Sequence, residues 1–120
     1  MNKKELGNWG EEQAALYLRR KGYRILERNY VCRFGEVDLI ASKGGYLCFV
    51  EVKLRKNANF AEAREFVTYA KQQRILKSAR LWLAAHETPL QPRFDVMEIY
   101  APEGMESRQL QIRHLEDAFC

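Results

Sequence analysis

Four charged residues sit where strand and helix patterns call for something else. Asp38 lies in the run Glu36-Val-Asp-Leu-Ile40, and Glu51 and Lys53 in Phe49-Val-Glu-Val-Lys53, with Gly44-Gly45 between the two runs. A Gly-Gly pair between alternating segments is a strong signal for a two-residue hairpin loop. In that register the numbers of facing residues add to 89, so Asp38 stands opposite Glu51 and Glu36 opposite Lys53. Strand alternation then puts all four charges on one sheet face, and Val37, Leu39, Val50 and Val52 on the other. Two carboxylates roughly 5 Å apart across a sheet repel unless positive charge lies between them. A divalent cation removes the penalty. Mg²⁺ suits such a pair because it takes hard oxygen ligands and keeps waters that can be activated or exchanged for phosphate; Mn²⁺ is an admissible substitute. Lys53 would flank the ion, positioning or deprotonating a water or stabilising charge on a phosphate. A solvated strand also carries Glu-x-Lys pairs without any site, and a longer turn would shift the register, so spacing leaves both readings open.

The fourth residue is Glu11. At 100° per residue it falls among Ala14, Ala15 and Leu18 on the apolar arc of the first helix, whereas Glu12 points toward the Arg19 side. Periodicity alone does not separate a site acid from a helix-start acid favoured by the dipole.

The elements that must hold these residues follow from the punctuation. Residues 5 to about 21 read as a helix, with Arg19, Arg20 and Lys21 in its last turn and Gly22 as a left-handed cap. Tyr23 to Val31, Glu36 to Ala41 and Leu47 to Leu54 read as a meander of strands with turns at Phe34-Gly35 and Lys43 to Tyr46. Arg55 to Phe66 reads as a loop containing a short helical turn. Thr68 caps a second helix running to about His86, with Ile75, Leu76, Ala79, Trp82 and Leu83 as its apolar stripe. Pro89 and Pro92 end it, Arg93 to Tyr100 is a strand, and Ser107 to Arg113 a last strand after a turn at Ala101 to Gly104. His86 reads as helix-end core, His114 has no evident carboxylate partner, and Asp95 is expected to pair with an arginine.

Composition narrows the function classes. A chain of 120 residues with 47% apolar, 12% aromatic and 30% charged residues suits one globular domain spanning 1–120, with no room for a second module. The longest uncharged apolar stretch, Tyr46 to Val50, is far short of the roughly 20 residues needed to cross a bilayer. The basic start MNKKELGNWGEE lacks the apolar run of a signal peptide, which places the chain in the cytoplasm. Cys32, Cys48 and Cys120 are isolated, without CxxC pairs or a nearby histidine, and read as reduced thiols. No Gly-rich phosphate loop or Ser/His/Asp spacing points to an ATPase or serine hydrolase. The net charge of +4 is uneven: residues 1–60 carry 12 Lys and Arg against 7 Asp and Glu, and residues 61–120 carry 8 against 9. Lys71, Arg74, Lys77 and Arg80 form a basic band on the second helix, and Arg55 and Lys56 follow Lys53. Such a band is often only a solvated face. Beside the carboxylates it would draw in a polyanion.

Several separated motifs agree with one family. Gly7-Asn-Trp-Gly-Glu11, Gly22-Tyr-Arg-Ile-Leu26 with Arg28-Asn-Tyr30, Gly35-Glu-Val-Asp-Leu-Ile40, Phe49-Val-Glu-Val-Lys53, Lys71-Gln-Gln-Arg74 and Arg93-Phe-Asp-Val96 resemble the YraN-like family of small, largely uncharacterised bacterial proteins over roughly residues 5 to 100. That family is similar to the PD-(D/E)XK nucleases, particularly the archaeal Holliday junction resolvases. The resemblance implies an α/β, restriction-endonuclease-like core of order αβββαβ, a mixed sheet flanked by helices, and a Mg²⁺-dependent phosphodiesterase centre acting on nucleic acid, DNA foremost and branched DNA among its forms. Carried over by position, Asp38 matches the motif aspartate, Glu51 and Lys53 the (D/E)XK pair, and Glu11 the acid of the first helix. Glu11, Asp38 and Glu51 would hold metal, with Lys53 the fourth member of the catalytic set. Lys71, Arg74, Arg55 and Lys56 are the expected nucleic-acid contacts. The name-giving proline is Val37 here. Resolvases of this fold act as dimers, which makes a homodimer the implied assembly. The competing expectation is a non-catalytic nucleic-acid-binding or partner-docking module on the same fold.

Overall fold

The computed structural model describes residues 2–56 and 67–119. The first helix, α1, spans Lys3–Arg20. It starts before the expected residue 5 because Asn2 caps it, its side-chain oxygen accepting the Glu5 N–H at 2.8 Å. Its end is where the glycine requires it: Gly22 takes a φ of 92°, and the Gly22 and Tyr23 amides close on Arg19 and Leu18.

Strands β1 (Arg24–Cys32), β2 (Gly35–Lys43) and β3 (Tyr46–Arg55) follow as a meander. Gly44 occupies the first loop position with a φ of 58°, which a side chain would resist. The hairpin therefore takes the expected register, with Lys43 facing Tyr46, Ala41 facing Cys48 and Leu39 facing Val50. The second helix, α2 (Tyr69–Ala85), is capped by Thr68, whose hydroxyl accepts the Lys71 N–H at 3.2 Å. It returns the chain to β4 (Gln91–Tyr100), which pairs with β3 in parallel over its whole length, from Tyr46 beside Gln91 to Arg55 beside Tyr100. A single 3-10 turn at Gly104–Glu106 precedes β5 (Gln111–Leu115), antiparallel to β4. The last strand thus starts later than Ser107, because the Ser107 hydroxyl is used to accept the Glu103 N–H and close the turn. The expected loop at Arg55 to Phe66 lies mostly outside the described residues.

The result is a mixed sheet of order β1-β2-β3-β4-β5 with helices packed on it, the α/β architecture expected of a restriction-endonuclease-like core. Its two faces bury separate clusters. On one, Ile75, Ala79 and Trp82 of α2 pack against Ile40, Leu47, Phe49, Phe94 and Val96, with Phe49 stacked on Phe94 at 5.5 Å. On the other, Ala14, Ala15 and Leu18 of α1 pack against Leu39, Ala41, Cys48, Val50, Met97 and Ile99. Each such large apolar side chain stabilises the fold by roughly 1.5–3 kcal/mol when fully buried.

One expectation about the faces is corrected. Val37 and Leu39 do not share a cluster: Leu39 packs on the α1 side and Val37 on the α2 side. Asn29, with a φ of 51°, lies across from Asp38 in the β1–β2 register, between the Arg28–Leu39 and Tyr30–Val37 pairs. Among the described residues, no helix is long and apolar enough to cross a membrane.

Candidate metal and nucleic-acid site

The candidate site occupies the fork where β2 and β3 part. Their antiparallel ladder ends at the Leu39–Val50 pair. Beyond it the Val52 N–H donates to the Asp38 carboxylate, Oδ2, at 2.8 Å. The side chain thereby takes up a strand donor that β2 no longer meets, and the bond fixes Asp38 at the mouth of the fork. Glu51 is held from the other side, where β3 continues in register with β4 through the Glu51–Val96 pair. Both acids are buried, Asp38 being 8% and Glu51 5% exposed. They line a cavity of about 240 Å³ together with Gly35, Glu36, Lys71, Arg74 and Ile75. Gly35 admits the turn into β2 through a φ of 135°, and an added Cβ there would meet the Arg74 side chain at 3.8 Å.

The electrostatics are frustrated. Burial, followed by the neighbouring Glu51 charge, pushes the Asp38 carboxyl from 3.8 up to about 8; the Val52 N–H and Lys71 oppose this and Glu11 adds to it. Glu51 is instead gripped by ammonium groups, with Lys71 Nζ at 2.5 Å and Lys53 Nζ at 3.6 Å from the same oxygen, Oε1. Burial and then the adjacent Lys71 lower the proton affinity of Lys53 below the ordinary lysine range, against the pull of Glu51. For Lys71 burial acts downward too, but the bond to Glu51 and the charges of Glu51 and Asp38 outweigh it and raise the group. Glu11 is raised as well, chiefly by burial, with Asn29 opposing and the charges of Glu36 and Glu51 adding to the rise. Its Oε1 is buried without a hydrogen-bond partner.

Of the residues singled out from sequence, Asp38, Glu51, Lys71 and Arg74 share the cavity wall, and Lys53 sits beside Glu51. Glu11 is near enough to act on both acids electrostatically. Glu12 turns away, its carboxylate 2.6 Å from Arg28. Arg55 lies farther along β3, where its Nε is 3.9 Å from Glu98, and Lys56 is exposed past the strand end. Glu36 was not singled out as a wall residue, although the hairpin register had already put it on this face. Among the described residues, no three His, Cys, Asp or Glu side chains stand together as a ready-made metal cage. The donor set nonetheless fits a hard divalent cation: the oxygens are carboxylate, two acids are buried side by side, and a third contributes an orphaned buried oxygen.

A second buried aspartate shows what full neutralisation looks like. Asp95, 0% exposed, accepts two hydrogen bonds from Arg93, at 2.9 Å each, and one from the Asp117 N–H at 3.0 Å, while His114 Nε2 lies 2.8 Å away. Burial alone would raise Asp95, but the bonds from His114, Arg93 and Asp117 hold it below the usual carboxylate range. The pairing of Asp95 with arginine is as expected. Two histidine expectations are corrected: His114 does have a carboxylate partner, and His86 is exposed, its ring stacked on Trp82 at 4.0 Å rather than enclosed in the core. A larger cavity, about 450 Å³, lies at Pro102, Glu103, Ser107, Arg108 and Gln109, and has no pair of facing acids.

The sequence agrees with one group of proteins along nearly its whole length. Residues 10–99 match the uncharacterised protein family UPF0102. Similar proteins include a UPF0102 protein of Caldanaerobacter subterraneus subsp. tengcongensis, 44% identical over 99% of this chain and 98% of its own, and one of Nocardia farcinica, 46% identical over 86% and 82%. A UPF0102 protein of Vibrio parahaemolyticus is 44% identical over 82% of this chain and 84% of its own. The chain, with the YraN-like motifs laid along its first hairpin and both helices, belongs to the UPF0102 family.

Proposed function

We propose that this protein is a cytoplasmic, Mg²⁺-dependent nuclease that hydrolyses phosphodiester bonds in nucleic acid, DNA foremost. The observation that carries the reading is the buried Asp38–Glu51 pair at the strand fork, where one acid is raised to about 8 by burial and by the other. Such a cost is retained where a site needs it. Glu11, Asp38 and Glu51 would hold the ion. When bound, Mg²⁺ supplies positive charge to the transferring phosphoryl oxygens and lowers the pKa of water. Lys53, beside Glu51, is suited to orient the attacking water and to stabilise charge growing on the phosphate. Arg74 and Lys71 on the cavity wall bind and orient the phosphate. The basic side chains around the mouth raise the local concentration of polyanion.

The test is a titration of Mg²⁺ or Mn²⁺ followed through the backbone resonances of Glu11, Asp38, Glu51 and Lys53, then cleavage of branched, single-stranded and duplex DNA. Expected are shifts at those residues and metal-dependent cutting that Glu51→Ala abolishes. The absence of shifts at millimolar ion would discard the reading. One observation favours a non-catalytic nucleic-acid-binding module instead: Glu51 already has a cationic partner, and the acids do not form a finished cage among the described residues. Metal shifts without cutting on any substrate would support that alternative.

A further inference from the structure

Lys71 projects from the first turn of α2, the helix whose start is fixed by the Thr68 cap. Its ammonium lies 2.5 Å from Glu51 Oε1, the oxygen that Lys53 also approaches from 3.6 Å. The oxygen best placed to serve a cation is therefore already serving one. Two features show that this contact is exchangeable. The Lys71 side chain is 31% exposed, and a lysine carries its charge on a flexible four-carbon stem. Arg74, three residues along the same helix, lines the same cavity, so an anion entering beside Arg74 meets Lys71 within one helical turn. A divalent ion on Glu51 and an ammonium on the same oxygen repel each other, so binding of one weakens the hold on the other.

We propose that Lys71 is a displaceable counter-ion: it fills the cation position at Glu51 in the resting protein, and when metal enters it transfers to the phosphate of nucleic acid arriving beside Arg74. The proposal rests on the reading of Asp38 and Glu51 as the metal-holding pair, and it adds a regulatory property to that site. Metal and polyanion become coupled. Metal binding frees Lys71 for phosphate, and phosphate removes the competitor from Glu51, so each ligand raises affinity for the other by the same factor.

The experiment measures Mn²⁺ binding to the full chain by the paramagnetic resonance of the free ion, without DNA and with a short duplex carrying non-hydrolysable phosphorothioate linkages. Wild type is compared with Lys71→Met, Lys53→Met and Glu51→Gln. Removing the competing ammonium is expected to tighten Mn²⁺ binding without DNA by roughly three- to tenfold. The duplex should tighten Mn²⁺ binding to wild type and leave Lys71→Met unchanged. Lys53→Met, whose ammonium is farther from the oxygen, should tighten it less. Lys71→Gln replaces the Met variant if circular dichroism shows that the latter fails to fold. Mn²⁺ binding that is lost in Glu51→Gln but not tightened in Lys71→Met or Lys71→Gln overturns the counter-ion proposal and leaves the metal site standing. Binding that is absent, or indifferent to Glu51→Gln, overturns the metal site and the counter-ion together.

Discussion

Asp38→Asn should stabilise the metal-free protein, and the gain should grow with pH. The substitution keeps the shape and leaves an amide oxygen to accept the Val52 N–H, so the fork at the end of the β2–β3 ladder stays closed. What it removes is a buried charge facing Glu51. In the folded chain Asp38 is raised from 3.8 to about 8, so it holds its proton more tightly folded than unfolded. A group shifted upward contributes stability that is fully present below its unfolded value and lost as pH rises through its folded value. Wild type should thus lose stability between about pH 4 and pH 8 through this residue, and the Asp38→Asn variant should not. Each tenfold change in proton affinity corresponds to about 1.4 kcal/mol, which bounds the effect at on the order of 5 kcal/mol. Water entering the cavity screens part of it, leaving about 2 kcal/mol at pH 8.5. At roughly 4 °C per kcal/mol for a domain of this size, the Tm should rise by roughly 8 °C at pH 8.5 and by less than roughly 2 °C at pH 4.5. Thermal unfolding followed by circular dichroism in EDTA across that range measures the difference. A gain that does not change with pH, or a loss at pH 8.5, would refute the claim that Asp38 is held against its preferred charge state.

The other buried aspartate, Asp95, should behave in the opposite sense. Asp95→Asn removes a charge that Arg93, His114 and the Asp117 N–H all satisfy, and should cost roughly 3 kcal/mol in urea unfolding at pH 7. Because Asp95 is held below the usual range, its contribution is present above its unfolded value of 3.8 and is lost as pH falls through the folded value, so the penalty should shrink near pH 3. An equal penalty at both pH values would show that packing, not charge, is at stake. The Cys48 thiol, pushed up to about 12 by burial and by Asp95, should resist iodoacetamide in native protein at pH 8 and be labelled in denaturant, as peptide mapping would read directly. Labelling of folded protein at the rate of a free thiol would contradict that burial.

Local rules made some of this architecture legible and left other parts hidden. The register of β2 on β3 could be read because a Gly-Gly loop permits few geometries, and Gly44 does take the positive φ that the reading requires. The start of α2 was legible for the same reason: Thr68 is a side-chain cap with a local partner, the Lys71 N–H. The partner of His114 was not legible, since it depends on how β5 lies against β4. Only the observed pairing of Val96 with Leu115 and Met97 with His114 brings the imidazole to Asp95, and a strand ending at Arg113 leaves it outside the sheet. Periodicity placed Glu11 on the packing face of α1 but could not say what lay beneath. That depends on how the helix crosses the sheet, where Gly10 sits over Leu54 and an added Cβ would be 3.7 Å from that side chain. Nor could spacing tell that Arg55 would lie toward Glu98, a fully buried acid on the neighbouring strand.

The two buried aspartates of the sheet bear on function when set against each other. Asp95 and Asp38 are both aspartates on strands, both nearly without solvent, and folded by the same chain. Around Asp95 the fold supplies an arginine, a histidine and a backbone amide, and the carboxylate stays charged below its ordinary range. Around Asp38 it supplies one backbone amide and the charge of Lys71 against a second carboxylate at the fork and a third from α1, and burial with those acids drives the group upward. A chain able to neutralise a buried aspartate so thoroughly in one place is not short of means to do so in another. A valine in place of Asp38 would suit the apolar strand pattern, since Val37 and Leu39 on either side are already core. The destabilising choice was kept next to a cavity whose wall joins acids to a lysine and an arginine. The proposed site for a cation and a phosphate rests on that juxtaposition of buried acids and basic side chains around one cavity.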